Sequence, residues 1–322
     1  MKIISWNVNG IRSNIVDFTK AANKKPRKLE SLSALGFLVK KYDPDIICFQ
    51  ETRLGENNYK LFDDESITSL FPYRYWSSAK KTGARSGNRY SGTSIWSKVE
   101  PDKITYEIPG LDNLEGRVIQ VQFNNTVLIT TYTPNAGSNW EYRLKKWEPS
   151  INKHINKLIK SGKNIIYCGD NNIATKSDVW FGDLLERSCI EAIKNDPESV
   201  ATKKIKKLVK SKEKYHRGKV ILAGYSKEER LAYNKLLNNN SLVDCYKYIN
   251  PNIIDKFTWF NIRNPKSVTN NKGWLIDRFL IRKQQKKDIN KCEIIDDVGV
   301  YYKDTFILLE VHLYAEYLSH TK

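Results

Sequence analysis

Short apolar runs recur along this chain, and several of them stop on an amide or a carboxylate. KIISWNV, DIICFQ, GTSIWS, RVIQVQF, TVLITTY, NIIYCGD, FTWF and WLIDRFLI are each bounded by polar turn residues, the pattern of short strands. Segments with helical spacing stand between some of them: RKLESLSALGFLVKKY, YRLKKWEPSINKHINKLIKSG and SKEERLAYNKLLNNN. Strands dominate the middle, so the expected class is α/β with more than one sheet rather than a simple βαβ array. The 322 residues are enough to bury a substantial core. No internal repeat is visible.

Charge bears on the partner. With 54 Lys and Arg against 36 Asp and Glu, the net charge is +18. An excess of that size favours a polyanion, because cations that neutralise phosphates release condensed counterions. An AT-rich coding bias accounts for the same surplus of Lys and Asn, as in Asn238–Asn240, so charge alone leaves both readings open. The basic stretch VATKKIKKLVKSKEKYHRGK reads either as a helix or loop beside a DNA channel or as a solvated insertion.

Five cysteines, Cys48, Cys168, Cys189, Cys245 and Cys292, form no CxxC pair, which argues against a disulfide framework or a zinc site. The start MKIISWNVNGIRS lacks an apolar secretory core, and no run of about 18 apolar residues exists to span a membrane. The expectation is a soluble, monomeric intracellular protein of the nucleus or cytoplasm.

The strand ends carry the chemistry. IISWNVNG brings Asn7 and Asn9, IICFQET brings Glu51, IIYCGDNN brings Asp170 and Asn172, and WLIDRFLI sets Asp277 among residues expected to be buried. Ligand sites in open α/β sheets gather outside strand ends, so groups far apart in sequence can converge there. Any one of them could simply begin a turn or cap a helix; their coincidence is the signal. An oxygen-only donor set suits a hard cation such as Mg2+, not zinc.

The ordered elements WNVNGIR, DIICFQET, YSGTSIWSK, EGRVI, YTPNAG, CGDNNIA, AGYS..ER, FTWF and GW.IDRFL resemble the exonuclease III-type abasic-site (AP) endonucleases of the endonuclease/exonuclease/phosphatase superfamily. The resemblance runs from about residue 2 to at least residue 280 and implies a four-layer α/β/β/α sandwich, two mixed sheets packed face to face with helices outside. The chain then reads as one domain over residues 1–322 with a basic insertion at about 176–220. It also implies Mg2+-dependent incision of double-stranded DNA 5′ to an abasic site, with Mn2+ as a substitute ion and with 3′-to-5′ exonuclease or 3′-phosphodiesterase activity beside it.

Carried over position by position, Glu51 matches the main metal ligand, with Asn9 beside it and Asn7 toward the phosphate. Asp170 matches the residue that readies the attacking water and Asn172 the one that holds the phosphate. Tyr132 and Asn135 match groups at the phosphate or the developing charge, Tyr90 and Arg143 match residues near the DNA or the core, and Trp259, Trp274 and Ile276 match an apolar pocket for the flipped sugar. Arg117 reads as a buried ion pair.

Relatives of this kind end in Ser-Asp-His-x-Pro, whose histidine contacts the phosphate and pairs with the buried aspartate, here Asp277. This chain has no such motif. Taking His312 as that histidine leaves too little chain for the strand that should follow. Aligning Lys303-Asp304-Thr305 with Ser-Asp-His makes ILLEVHLY the closing strand, with Asp304 as catalytic and metal-site carboxylate and Thr305 where the histidine belongs. Thr donates a hydrogen bond but neither carries charge nor shuttles a proton near neutrality. Leu275 and Arg278 also depart from the usual GWRIDYF. The leading expectation is a repair nuclease; the alternative is a catalytically impaired relative that binds DNA.

Overall fold

The computed structural model describes residues 1–12, 33–80, 90–137, 139–175, 178–180, 214–216, 219–221, 223–253, 256–261, 265–295 and 306–311. Two six-stranded mixed sheets dominate it, with strands numbered along the chain. The first runs β15 (Ile289–Ile295), β16 (Phe306–Val311), β1 (Lys2–Asn7), β2 (Ile46–Gln50), β4 (Thr93–Ser97), β3 (Tyr73–Ser77). The second runs β11 (Leu242–Asp244), β14 (Asp277–Arg282), β8 (Asn164–Asp170), β7 (Thr126–Tyr132), β6 (Val118–Phe123), β5 (Lys103–Thr105). Within them β1 is parallel to β2 and β7 to β8.

Strict alternation explains why these strands read as unbroken apolar runs. Ile3, Ile46, Cys48, Leu128, Ile166 and Cys168 point into the space between the sheets. Their neighbours Ile4, Ile47 and Phe49 face outward under helix α1 (Ala34–Tyr42). Ile129, Ile165 and Tyr167 face outward under α2 (Glu148–Lys160) and α3 (Lys227–Asn239). With period 2 and both faces covered, each residue of such a strand is buried in one of two cores. This is the four-layer sandwich expected from the sequence, and the three helical segments foreseen there supply its outer layers.

Two of the three helices start at a side-chain cap that the sequence supplies. Ser33 caps α1 through its hydroxyl. Ser226 and Glu229 form a reciprocal capping box on α3, and the buried Glu229 carboxylate also accepts from Gly224 N at 3.0 Å. The AGYS..ER element is therefore a built turn that fixes where α3 begins beside the site.

Chain direction sets the location of the site. The C-terminal ends of β1, β2, β7 and β8 and the start of β14 lie on one edge, with Asn7 registered to Gln50, Tyr132 to Asp170 and Asp277 to Asp170. Gln50, fully buried, ties the sheets together by donating to Thr130 Oγ1 at 2.9 Å.

The closing strand expected over ILLEVHLY is β16. It begins at Phe306, the residue after Thr305, and pairs antiparallel with β1 so that Ile307 faces Ser5 and Glu310 faces Lys2. Asp304, Thr305 and His312 lie outside the described residues, as does most of the basic segment. Among the described residues no helix is long and apolar enough to cross a membrane.

Candidate active site

Asn7, Asn9, Glu51, Tyr132, Asn135, Asp170, Asn172, Trp259, Ile276 and Asp277, all foreseen from the sequence, line one pocket of about 300 Å3. The backbone presents several of them by force. Asn9, Glu51, Arg53 and Asn172 all hold positive φ, at 45°, 57°, 49° and 46°. Left-handed backbone at non-glycine residues costs free energy and is retained where surrounding structure imposes it. Here the loop after β1 is tied to the loop after β2 by Gly10 N to Glu51 O at 2.8 Å, and the latter to the segment before β4 by Arg53 N to Ser91 O at 2.8 Å.

Asp170 is the centre of the hydrogen bonding. Its Oδ1 accepts from Asn172 N at 2.8 Å, and its Oδ2 accepts from Asn7 Nδ2 at 3.0 Å and Asn172 Nδ2 at 3.3 Å. The Asn7 bond spans the two sheets. Burial, and then the charge of Glu51, push the Asp170 carboxyl up to about 7 against the pull of those donors. Burial and the charges of Glu51 and Asp170 also drive the Tyr132 hydroxyl well above its ordinary value, so it stays a neutral donor. Asn172 is anchored by Nδ2 to Thr133 O at 2.8 Å, and Asn7 Oδ1 accepts from Asn9 N at 3.0 Å.

The charge balance tests whether a cation fits. Three carboxylates, Glu51, Asp170 and Asp277, line the pocket against one cation, Arg53, among the described lining residues. The set is carboxylate and amide oxygen throughout. Among the described residues no group of three or more His, Cys, Asp or Glu is placed to hold a metal ion, so a cation here would keep waters and amide oxygens among its ligands. Excess negative charge with hard oxygen donors suits a hydrated divalent cation.

The model of the endonuclease/exonuclease/phosphatase family matches residues 4–289. The chain belongs to that family. It is 30% identical to an exodeoxyribonuclease of Bacillus subtilis, across 92% of this chain and 94% of that protein. It is 29% identical to a DNA-(apurinic or apyrimidinic site) endonuclease of Dictyostelium discoideum, across 88% of this chain and 63% of that protein. Among solved structures, an AP endonuclease from Archaeoglobus fulgidus superposes with a TM-score of 0.68 at 19% identity, covering 97% of this chain and 100% of that one. At that identity the likeness speaks for the fold.

Within this member of the family two residues matched near the DNA or the core, Arg143 and Tyr90, do not line the pocket. Arg143 is 1% exposed. It pairs with Glu148 at 2.6 Å and donates to Pro134 O at 2.6 Å and Asn171 O at 2.9 Å. A guanidinium with that many buried acceptors is a staple: it holds the loops that carry Asn135 and Asn172. Tyr90 lies outside the pocket lining, and its hydroxyl accepts from Arg117 Nη2 at 3.0 Å. Arg117, buried and paired with Glu115 as the sequence suggested, stacks 4.5 Å from the Tyr132 ring and donates to its carbonyl.

Of the apolar trio, Trp259 is 45% exposed and lines the pocket with Ile276, whereas Trp274 stands behind Trp259 with ring centroids 6.0 Å apart. Three lining residues were not foreseen: Arg53, Thr258 and Phe260. Arg53 had a readable signal, since it follows Glu51 by two in the ETR element. Thr258 Oγ1 accepts from the N–H groups of both Ile276 and Asp277 at 3.2 Å, a role no motif announces.

Proposed function

We propose that this chain is a divalent-metal-dependent DNA-repair nuclease that hydrolyses the phosphodiester 5′ to an abasic site, with 3′-to-5′ exonuclease or 3′-phosphodiesterase activity at the same pocket. The observation that supports it best is the convergence of Asp170, Glu51, Asn7, Asn172 and Tyr132 beside the apolar wall of Trp259 and Ile276. The names of the relatives from Bacillus subtilis and Dictyostelium discoideum point the same way.

In this reading Glu51 and Asn9, with Asp304 of the aligned terminal motif, would hold a Mg2+ ion or Mn2+ in its place, which would supply neutralisation of the phosphate charge. Asp170 takes the proton of the attacking water; a carboxyl near 7 is matched to that task around neutral pH. Asn7 and the Asn172 N–H keep its lone pairs aimed. The neutral Tyr132 hydroxyl and the Asn135 amide donate to phosphate oxygens as charge develops on them, while Asn172, expected at the phosphate, spends its Nδ2 hydrogens on Thr133 O and Asp170 Oδ2 and so positions Asp170. The bond from phosphorus to the upstream 3′ oxygen breaks, and that oxygen leaves carrying the electron pair and takes a proton from solvent water. Asp277 matches the aspartate that pairs with the relatives' terminal histidine, a position that the sequence alignment gives to Thr305. The wall of Trp259 and Ile276 accepts a sugar without a base, and an abasic nucleotide costs less to extrude than an intact one.

The replacement of that histidine by Thr305 favours a second reading, a slow or inactive relative that holds duplex DNA. Single-turnover nicking of a duplex with one abasic analogue decides between them, run with Mg2+ and with EDTA and with Asp170→Asn as control. Metal-dependent nicking lost in the control supports the nuclease; duplex binding without nicking supports the second reading.

A further inference from the structure

Arg53 has no part in the chemistry described so far, yet it is the one cation among the described residues that line the pocket. Its guanidinium is spent on Glu51. Both Nε, at 3.0 Å, and Nη2 donate to the same oxygen, Glu51 Oε1. A fork placed on a single oxygen leaves half of its recognition capacity unused, since its geometry matches two oxygens of a carboxylate or a phosphate.

The two partners differ in freedom. The Arg53 side chain is 42% exposed and the Glu51 side chain 16%. Their backbones are fixed, with Thr52 N bonded to Gly92 O at 3.0 Å and Arg53 N to Ser91 O at 2.8 Å. Any rearrangement is therefore a rotation of the arginine side chain, while the carboxylate stays. An ion pair this exposed is a weak one, and a divalent cation on the same carboxylate outcompetes it.

We propose that Arg53 is a two-position cation. It occupies Glu51 when that carboxylate has no metal, gives it up to a divalent ion, and then turns its fork onto a DNA phosphate at the mouth of the pocket. This rests on the metal-dependent nuclease reading and gives that reading a source of positive charge other than the absent histidine. Metal entry and phosphate capture are thereby coupled: the residue that recognises the substrate backbone becomes available when the ion arrives.

Two measurements test it without relying on turnover. In the first, Mn2+ is titrated into DNA-free protein and free ion is followed by electron paramagnetic resonance. Arg53→Met, which keeps the stem and removes the competitor, binds Mn2+ about three- to fivefold more tightly than wild type. In the second, affinity for the abasic duplex is measured against salt in an Asp170→Asn background, in Mn2+ and in EDTA. With Mn2+ present, Arg53→Met lowers the slope of log K against log salt by about 1, and Arg53→Lys does not. In EDTA the slopes coincide, because Arg53 is on Glu51.

Unchanged or weaker Mn2+ binding by Arg53→Met overturns the proposal, and so does a slope change of equal size in both conditions. Either result beside metal-dependent nicking by wild type leaves the nuclease reading standing. A wild type that neither binds Mn2+ nor nicks removes both.

Discussion

Replacing Asp170 by Asn is expected to abolish nicking and, above neutral pH, to stabilise the protein. Asp170 is 3% exposed, and its native carboxyl titrates at about 7, against about 3.9 in the unfolded chain. A pKa raised on folding means that the acid form is favoured in the native state. The stabilisation is complete below about pH 4 and is lost as pH rises through about 7, and its full size is about 4 kcal/mol. About 3 kcal/mol of this falls between pH 5 and pH 8.

The amide variant keeps the bond from Asn172 N, at 2.8 Å in the wild type, through its own oxygen. Its NH2 group then meets the Asn7 and Asn172 amides that donate to Oδ2, a mismatch of about 1–3 kcal/mol. That offset is common to both pH values. The quantity to measure is therefore a double difference: urea unfolding of variant and wild type, in EDTA, at pH 5 and pH 8. The variant gains about 3 kcal/mol on wild type between the two. A double difference near zero, or of the opposite sign, would show that Asp170 is ionised across the window, so that the Asn7 and Asn172 donors outweigh burial.

Arg278→Met should cost about 3–5 kcal/mol and lower the thermal midpoint by roughly 5 °C at pH 7, followed by circular dichroism, because it leaves Asp178 and Asp244 buried without their guanidinium. The gap between variant and wild type narrows in acid: Arg278 and Lys247 hold the Asp178 carboxyl far below its usual range, so its stabilisation is present above about pH 4 and fades on acidification. Gly169→Ala should leave little folded protein in a soluble-yield and far-ultraviolet assay, since φ is 130° and an added Cβ would lie 2.0 Å from Thr131 O inside the β7–β8 pair. Trp259→Ala should leave the unfolding midpoint within about 0.5 kcal/mol but weaken binding of the abasic duplex by about 1–3 kcal/mol in fluorescence anisotropy.

The sheets and most of the pocket were legible because both follow from local rules. Apolar runs of strand length bounded by turn residues gave β1, β2, β4, β6, β7 and β8, and the polar residues closing β1, β2 and β8 marked the edge where ligands collect. What stayed hidden was which acceptors Arg143 and Arg278 take. A guanidinium on a chain of charge +18 reads as a surface cation, and its buried acceptors lie far away in sequence. Arg143 takes the carbonyls of Pro134 and Asn171, and Arg278 takes Asp178 and Asp244, partners that only the fold brings together. The aromatics were partly legible for a similar reason: Trp259 and Trp274 face each other across the β12 (Trp259–Phe260) and β13 (Gly273–Trp274) ribbon, and nothing local says which of the two meets the pocket.

The corner behind Asp277 shows why departure from a familiar pattern is a poor measure of decay. Leu275 and Arg278 break GWRIDYF, and from sequence the break stands beside Thr305 as a sign of a failing site. In the fold, Arg278 is 1% exposed and donates to Asp178 at 2.6 Å, to Asp244 at 3.0 Å and to the Leu275 carbonyl at 2.8 Å. Lys247 completes the charge on Asp178 at 2.6 Å, and Leu275 N donates to the Asp178 carbonyl at 2.7 Å. The arginine absent from position 275 has its counterpart at position 278, one strand residue after Asp277. The cluster joins the loop that follows Asn172 to the strand that carries Asp277. Losing any one member of such a buried cluster strands the others, so it persists only as a complete set. The two substitutions are thus one repacking of the support under Asp277, and they carry no weight against turnover.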